Sequence, residues 1–201
     1  MTIWSGEPAL ALRRKRQPPA TYRDDTMASK KTSMFTLTER LTINAATTDA
    51  QATIDLGSYV DVGDRQALQV HGVDFIFQGT TANNGAGTAL PDDNVAIVQV
   101  TDLNRAALVF ADDRALVASA QLQRSADGQF DHRADQYPDN FGKGSEDGRY
   151  VVNDQLYITG RMSALTSGQS MNVTVRVNCS IVTLSAKDFM AIAIQSTAAD
   201  N

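Results

Sequence analysis

Few side chains in this sequence of 201 residues are suited to acid–base, nucleophilic or metal chemistry. His71 and His132 are its two histidines and Cys179 is its one cysteine. No motif connects them, because the chain lacks a G-x-S-x-G elbow, an H-E-x-x-H pair, a phosphate loop ending in Gly-Lys-Ser/Thr and a G-x-G-x-x-G turn. Without carboxylates they also cannot complete a typical zinc site. We therefore expect no catalytic residue, no cofactor, no metal ligand and no enzyme activity.

Each histidine has a simple structural interpretation. His71 falls at the parity of the polar residues within a predicted strand, which indicates a solvent-side or turn-adjacent position. His132 lies between Asp131 and Arg133 in a polar stretch. An aspartate could orient this imidazole as a base, but the sequence marks no nucleophile beside it. We predict that His132 belongs to a solvated loop.

A run of acidic residues is the second place where chemistry is conceivable. Residues 123–148 form a long polar segment that contains Asp127, Asp131, Asp135 and Asp139 at a spacing of four, followed by Glu146 and Asp147. Calcium takes about six to eight oxygen ligands from flexible loops of this kind. The residue order of an EF-hand is absent, however, and so is a glycine-rich nonapeptide repeat. A solvated acidic loop is therefore the preferred interpretation, with calcium as the alternative.

Positive charge is concentrated at the N-terminus. Residues 1–31 carry seven basic and three acidic groups, or +4, whereas the other 170 residues carry 11 basic and 20 acidic groups, or −9. Three prolines and the lack of a regular apolar period predict an extended arm over residues 1–33. The arm side chains predicted to contact a polyanion or a membrane are Trp4, Arg13, Arg14, Lys15, Arg16, Arg23, Lys30 and Lys31.

The sequence leaves several targets open for this arm. Its cations could neutralise the phosphates of a packaged nucleic acid, an interaction that salt weakens. Trp4 and the nearby leucines could instead rest at a lipid interface while the cations meet anionic head groups. The arm could also strap onto a neighbouring subunit. A solvated tail or a run resembling a nuclear-localisation signal is the alternative without a structural role.

From residue 34 onward, alternation of apolar and polar side chains predicts strands. The predicted strands are Phe35–Ile43, Ala52–Leu56, Leu68–Phe77 with a bulge at Gly72, Val95–Val100, Ala106–Phe110, Leu156–Met162 and Met171–Ile181. Residues 114–122 fit either a strand or a helix, and 79–93 and 123–148 are predicted loops. Ser185 is positioned to cap a short helix over Lys187–Ile194.

About eight strands without βαβ alternation predict an all-β fold: an antiparallel β-sandwich of the jelly-roll type with an extended N-terminal arm and one or two short helices. We divide the chain into the arm, residues 1–33, and one sandwich domain, residues 34–201. No stretch has the roughly 18 to 20 uninterrupted apolar residues of a spanning helix. A single cysteine also means that no internal disulfide supports the fold.

A basic arm with Arg13–Arg16, Lys30 and Lys31, followed by Thr- and Asn-rich strands, resembles viral capsid proteins of the single jelly-roll type. This resemblance implies a virion subunit, synthesised in the host cytoplasm, that assembles with its own copies into a homo-oligomer such as an icosahedral shell, alone or with a second capsid protein. It implies further that the arm faces genome, an internal lipid membrane or neighbouring subunits. The alternatives are a phage tail, sheath or pilus/adhesin-like assembly protein, and a ligand-binding β-sandwich module.

Overall fold

The computed structural model describes residues 28–81, 85–134 and 149–197. These residues contain ten strands, a 3₁₀ turn at Ala86–Thr88 and a C-terminal helix. The strands are β1 (Ala28–Lys30), β2 (Phe35–Ile43), β3 (Ala50–Asp55), β4 (Gln66–Gln78), β5 (Asn94–Thr101), β6 (Leu116–Arg124), β7 (Phe130–Ala134), β8 (Arg149–Val151), β9 (Gln155–Met162) and β10 (Met171–Leu184), and the helix is α1 (Ala186–Thr197).

The strands form two antiparallel five-stranded sheets. In sheet A, β10 pairs with both β1 and β2 on one side and with β4 on the other, and β8 completes the order. In sheet B the order is β3–β9–β5–β6–β7. The eight main strands are therefore divided between the sheets as β2–β10–β4–β8 and β3–β9–β5–β6, which is the strand order of a jelly roll. The predicted all-β sandwich is confirmed.

The strongest alternating patterns gave the correct strands, and the bulge lies where it was predicted. Along β10, Asn178 is opposite Gly72 and Cys179 is opposite Val70, so His71 is the extra residue of β4. This bulge keeps Val70 and Val73 on the core side of the strand in spite of the change of parity. It also turns His71 to the outer side of sheet A, as the polar parity had indicated.

Two predictions about the middle of the chain are wrong. Residues 106–110, predicted as a strand, form part of the loop between β5 and β6. Residues 130–134, predicted as part of a polar loop, form β7 at the edge of sheet B. The ambiguous segment 114–122 is a strand from Leu116 onward, because its alternate residues pack in the core opposite β5.

The core lies between the sheets and is made of the inward side chains of both. Gly160 on β9 marks the closest approach, since a Cβ there would lie 2.6 Å from Leu41 Cδ2 and 3.1 Å from both Ile43 Cδ1 and Val98 Cγ2. Glycine at this position lets β2 pack directly onto sheet B. The edge formed by β2 and β3 is thereby closed by side chains from both sheets.

Helix α1 covers part of the outer face of sheet A. The Ser185 hydroxyl accepts a 3.2 Å hydrogen bond from the Asp188 amide, so the predicted cap is confirmed. Phe189 is 8% exposed and packs with Val182 and Leu184 of β10. No helix in the described ranges combines the length and apolar character that a bilayer crossing requires.

Candidate assembly surface

The N-terminal arm joins the sandwich at β1. Ala28, Ser29 and Lys30 pair with Leu184, Thr183 and Val182 of β10, so the last residues of the predicted arm belong to sheet A. The other arm residues predicted to contact a polyanion or membrane, Trp4, Arg13, Arg14, Lys15, Arg16 and Arg23, lie outside the described residues.

The two described arm lysines lie at the edge of sheet A. The Lys31 amide donates a 2.8 Å hydrogen bond to the carbonyl of Ile181, and Lys31 Nζ is 3.8 Å from a carboxylate oxygen of Asp64. Both charged side chains of this pair are exposed, at 42% and 66%, so the ion pair contributes at most about 1 kcal/mol. Lys30, also exposed, lies close enough to His71 to act on its charge.

His71 lies in a polar cluster on the outer face of sheet A. Its Nε2 is 2.9 Å from the hydroxyl oxygen of Ser180, and that hydroxyl also lies 3.4 Å from Gln69 Oε1. Burial, and then the positive charge of Lys30, lower the pKa of His71. A serine beside a histidine suggests a nucleophile and its base. Ser180 is 0% exposed, however, so no substrate can approach its oxygen in this fold.

His132 lies on edge strand β7 and not in the predicted loop. Its ring makes an edge-on contact with Phe77 of β4, with 5.3 Å between the ring centroids. The neighbouring Asp131 accepts a 2.9 Å hydrogen bond from Arg133, so this carboxylate does not orient the imidazole as a base. His132 is therefore an exposed residue of sheet B whose ring packs against Phe77 of sheet A.

In the described part of the acidic segment, the carboxylates are not arranged to bind a cation. Asp127 accepts a 2.5 Å hydrogen bond from the Ser125 hydroxyl in the turn between β6 and β7, and Asp131 is paired with Arg133. Asp135, Asp139, Glu146 and Asp147 lie outside the described residues. Among the residues that are described, no three His, Cys, Asp or Glu side chains converge as metal ligands would.

A cavity opens at the edge opposite β2 and β3, between the ends of β4 and β7. Its volume is about 430 Å³. Aromatic and aliphatic side chains dominate its lining, and we call it the Phe77 pocket. The lining residues are Phe75, Ile76, Phe77, Gly85, Ala86, Gly87, Leu122, Phe130 and His132. Ile76 and Phe130 are 41% and 48% exposed, so a large apolar surface faces solvent at the mouth.

Arg124 holds one wall of this pocket in place. Its Nη1 donates hydrogen bonds of 3.0 and 2.8 Å to the carbonyls of Gly87 and Leu90, and its Nε is 2.6 Å from a carboxylate oxygen of Asp92. The guanidinium carbon also lies 5.4 Å from the centre of the Phe130 ring, a cation–π contact. The pocket is therefore bounded by hydrogen-bonded backbone and a fixed aromatic ring.

The second exposed apolar feature is the loop between β5 and β6, residues 102–115, which we call the Phe110 loop. The buried Gln99 side chain of β5 donates to the carbonyl of Val109 at 2.9 Å and accepts from the amide of Val109 at 2.8 Å. One side chain thus satisfies both backbone groups, as a neighbouring strand would. Phe110, the next residue, is 87% exposed.

The rest of the Phe110 loop is also tied down. Arg105 Nε is 3.1 Å from a carboxylate oxygen of Asp113, in an ion pair whose side chains are only 16% and 20% exposed. Asn104 Oδ1 accepts a 3.0 Å hydrogen bond from the amide of Ala106, which adopts a left-handed φ of 55°. These hydrogen bonds and the ion pair hold the backbone of the Phe110 loop in one conformation.

A buried ion pair joins the base of this loop to β8. Asp102 is 5% exposed, and its Oδ2 accepts a 3.2 Å hydrogen bond from Arg149 Nη2. Arg149 also donates to the carbonyls of Leu116, at 2.6 Å, and Arg114. Asp102 Oδ1 has no hydrogen-bond partner within the described ranges. Burial raises the pKa of Asp102 above its ordinary value, while the charge and hydrogen bond of Arg149 act in the opposite direction.

Sequence reasoning missed this pair, the Gln99 contact and the pocket. Each joins residues from different elements of the fold, a strand with a loop or several strands together, and no local motif signals them. The sequence predicted Phe110 as the last residue of a strand and its apolar side chain as buried, whereas the structure places it in an exposed loop.

No family model and no curated protein matches the chain. Among solved structures, a chain from Desmodium yellow mottle tymovirus is similar to it, with 9% sequence identity, 92% of this chain and 97% of that chain covered, and a TM-score of 0.25.

Proposed function

We propose that the chain is a structural subunit of a virus capsid, located in the virion, that assembles with its own copies. The observation that supports this most directly is the strand order, β2–β10–β4–β8 facing β3–β9–β5–β6. Jelly rolls of this order occur in viral capsid and lectin domains and in cupins. Two features favour the capsid among these: the basic arm, and apolar groups exposed at a sandwich edge and on a fixed loop.

The open edges of the two sheets support the proposed self-association. A sandwich leaves the backbone groups of its outer strands available to other chains unless charge, bulges or covering segments protect them. Within the described residues, β8 pairs with β4 only from Leu68 to Val70, and β7 is the outermost strand of sheet B. Loops, edges and the arm would repeat one set of contacts under symmetry to close an assembly.

The arm would face the interior of this assembly. Four consecutive cations, Arg13–Arg16, suit phosphates of nucleic acid or of an internal lipid membrane, while the acidic body avoids the same polyanion. A second capsid protein could share the shell. Neighbouring subunits are the remaining target of the arm.

Size-exclusion chromatography with light scattering and negative-stain microscopy of the full chain tests the main proposal. We expect closed shells or defined ring-shaped intermediates. Open tubes would instead favour the phage tail or sheath alternative. A monodisperse monomer at all accessible concentrations would overturn both, and would leave the ligand-binding sandwich as the better description.

The arm is tested separately by replacing Arg13, Arg14, Lys15 and Arg16 with glutamine. Binding to single-stranded nucleic acid and to anionic liposomes is measured over a range of salt concentrations. Loss of four phosphate contacts reduces the slope of log K against log salt by about 3. Replacing the described lysines Lys30 and Lys31 is the control, with a smaller expected change. An unaltered slope in the four-residue variant would exclude the arm as the polyanion-binding element.

A further inference from the structure

Phe110 is exposed to solvent on a loop whose backbone is held by hydrogen bonds and an ion pair. The two Gln99 hydrogen bonds fix the backbone of Val109, and the Arg105–Asp113 pair closes the loop behind it. A ring that is 87% exposed contributes nothing to the core of its own subunit. An apolar side chain held in advance by its loop loses little entropy when a partner covers it, which is the property of a binding anchor.

The Phe77 pocket has the chemistry to receive such a ring. Its volume of about 430 Å³ falls within the range of ligand pockets and exceeds the space that one phenyl ring needs, so the ring can enter without a clash. Phe75, Phe77 and Leu122 form its inner side, and Phe130 offers an aromatic face at the mouth. Edge-to-face and offset contacts between rings favour another aromatic occupant over a polar one.

The subunit does not fill its own pocket with this ring. Phe110 is not among the residues that line the pocket, and its exposure of 87% rules out burial against Phe130. The Phe110 loop precedes β6, whereas Leu122 and Phe130 lie near and beyond the end of that strand. A Phe110 ring that enters the Phe77 pocket must therefore come from another copy of the chain.

The pocket offers an incoming group apolar and aromatic contacts. None of the described residues that line it is an aspartate, glutamate, lysine or arginine. Asp131 and Arg133 alternate along β7 with the lining residues Phe130 and His132, so they lie on the other face of the strand, where they pair with each other. An uncharged aromatic side chain therefore suits this pocket better than a charged one.

We propose that Phe110 of one subunit inserts into the Phe77 pocket of the next, in a head-to-tail contact between copies of this chain. This inference rests on the proposed self-assembly and specifies the surfaces that carry it. Such a contact uses different patches on the two partners, so it repeats from subunit to subunit and closes only when the rotation allows a ring or shell.

Two variants each remove one half of the contact. Phe110→Ala removes the ring and keeps the pocket, while Ile76→Glu places a charge at the pocket mouth and keeps the ring. Both positions face solvent, so the sandwich should remain folded, which circular dichroism and thermal unfolding check. We expect each variant to weaken self-association by ~30-fold or more, as loss of a central aromatic anchor does. Met190→Ala and Val62→Glu, at positions that are each 57% exposed, are the matched controls.

Mixing the two variants is the decisive measurement. The Ile76→Glu chain still has its ring and the Phe110→Ala chain still has its pocket, so the mixture should form 1:1 dimers that grow no further. Analytical ultracentrifugation detects this species. Assembly of Phe110→Ala at the wild-type concentration would overturn the inference and leave the capsid proposal intact. So would a mixture that forms no dimer. A wild-type chain that never self-associates would overturn both.

Discussion

The two edges of the sandwich differ in how their side chains are arranged: one is closed and carries an inward charge, and the other is open and apolar. At the edge formed by β2 and β3, side chains close the gap between the sheets, and a charge points inward. Glu39 lies on the core-facing side of β2, between Leu37 and Leu41 and opposite Val175 of β10. At the other edge, the described residues around the Phe77 pocket expose Ile76 and Phe130.

An inward-pointing charge on an edge strand discourages pairing with another chain, because a second strand would bury it. Glu39 is half-buried and therefore already partly removed from water. The pocket edge has the reverse property, since covering its apolar residues releases water at a gain of roughly 25 cal/mol per Å². Under the proposed self-assembly, this comparison assigns the pocket edge to contacts between subunits and makes the β2 edge unsuitable for them.

The largest effect is expected at the pocket edge, from Arg149→Met. The short strand β8 depends on this side chain, because its three residues make few ladder bonds. The change leaves the Asp102 carboxylate, 7% exposed, without its cation, and should lower the free energy of unfolding by about 3 kcal/mol. Urea unfolding measures it. Lys31→Met removes an exposed pair and should change stability by less than about 1 kcal/mol. Equal losses in the two variants would show that β8 is not held by Arg149.

The β2 edge is tested by Gly160→Ala. The added methyl group lies too close to the side-chain ends of Leu41, Ile43 and Val98, so these side chains must repack or β2 must move outward. Overpacking of this kind costs about 1 to 3 kcal/mol. Gly72→Ala is the matched control, because its Cβ would meet no atom within 4 Å. Thermal unfolding compares the two. If Gly160→Ala is as stable as Gly72→Ala, the β2 edge is less tightly closed than the packing indicates.

Glu39→Val asks whether the charge protects the β2 edge. A valine opposite Val175 adds apolar contact in a strand and should raise stability by up to about 1 kcal/mol. The same change should increase light scattering at concentrations where the wild-type chain stays dispersed. Thr38→Val, on the exposed side of the same strand, is the control. Scattering that rises equally in both variants would mean that the inward charge has no special role.

Asp102→Asn gives a smaller, pH-dependent difference. The raised pKa means that the folded state binds the Asp102 proton more tightly than the unfolded state does. Its contribution to stability is therefore fully present below the unfolded pKa, about 4, and is lost as pH rises through the folded value. The stability of wild type relative to Asp102→Asn should fall over that window. A difference that stays flat, or grows with pH, would show that Arg149 outweighs burial.

Cys179 reports on the β2 edge with no mutation at all. Its sulfur lies 3.7 Å from the carbonyl oxygen of Phe35, beneath β2, and burial raises its pKa to about 11. Thiolate is therefore scarce at neutral pH, and the side chain is 0% exposed. We expect labelling by a thiol reagent to be very slow in the native protein and rapid in denaturant. Fast native labelling would mean that β2 opens readily.

The sequence predicted the elements whose signal is local. Val173, Val175 and Val177 alternate with polar residues over a length that fits only a strand, and Gly72 marked the change of parity. The prediction of a strand at residues 106–110 was wrong because their apolar side chains suggested burial in a sheet. In the structure these residues form a loop, and the Gln99 side chain of β5 supplies the hydrogen bonds to the backbone of Val109.

The candidate surfaces were out of reach for the same reason. The Phe77 pocket joins residues from β4, the 3₁₀ turn, β6 and β7, which are distant in sequence. Strand β7 itself alternates aromatic and charged residues, Phe130, Asp131 and His132, so its composition resembles a loop. Only the pairing of β7 with β6 reveals its strand character.

The Gln99 contact has an evolutionary consequence. Gln99 binds only main-chain atoms of Val109, and every residue except proline presents the same N–H and C=O groups. The residues at the tip of this loop can therefore be substituted while the hydrogen bonds between the loop and β5 are kept. A lineage could exchange the aromatic group for another side chain while the backbone of the loop stays attached to β5.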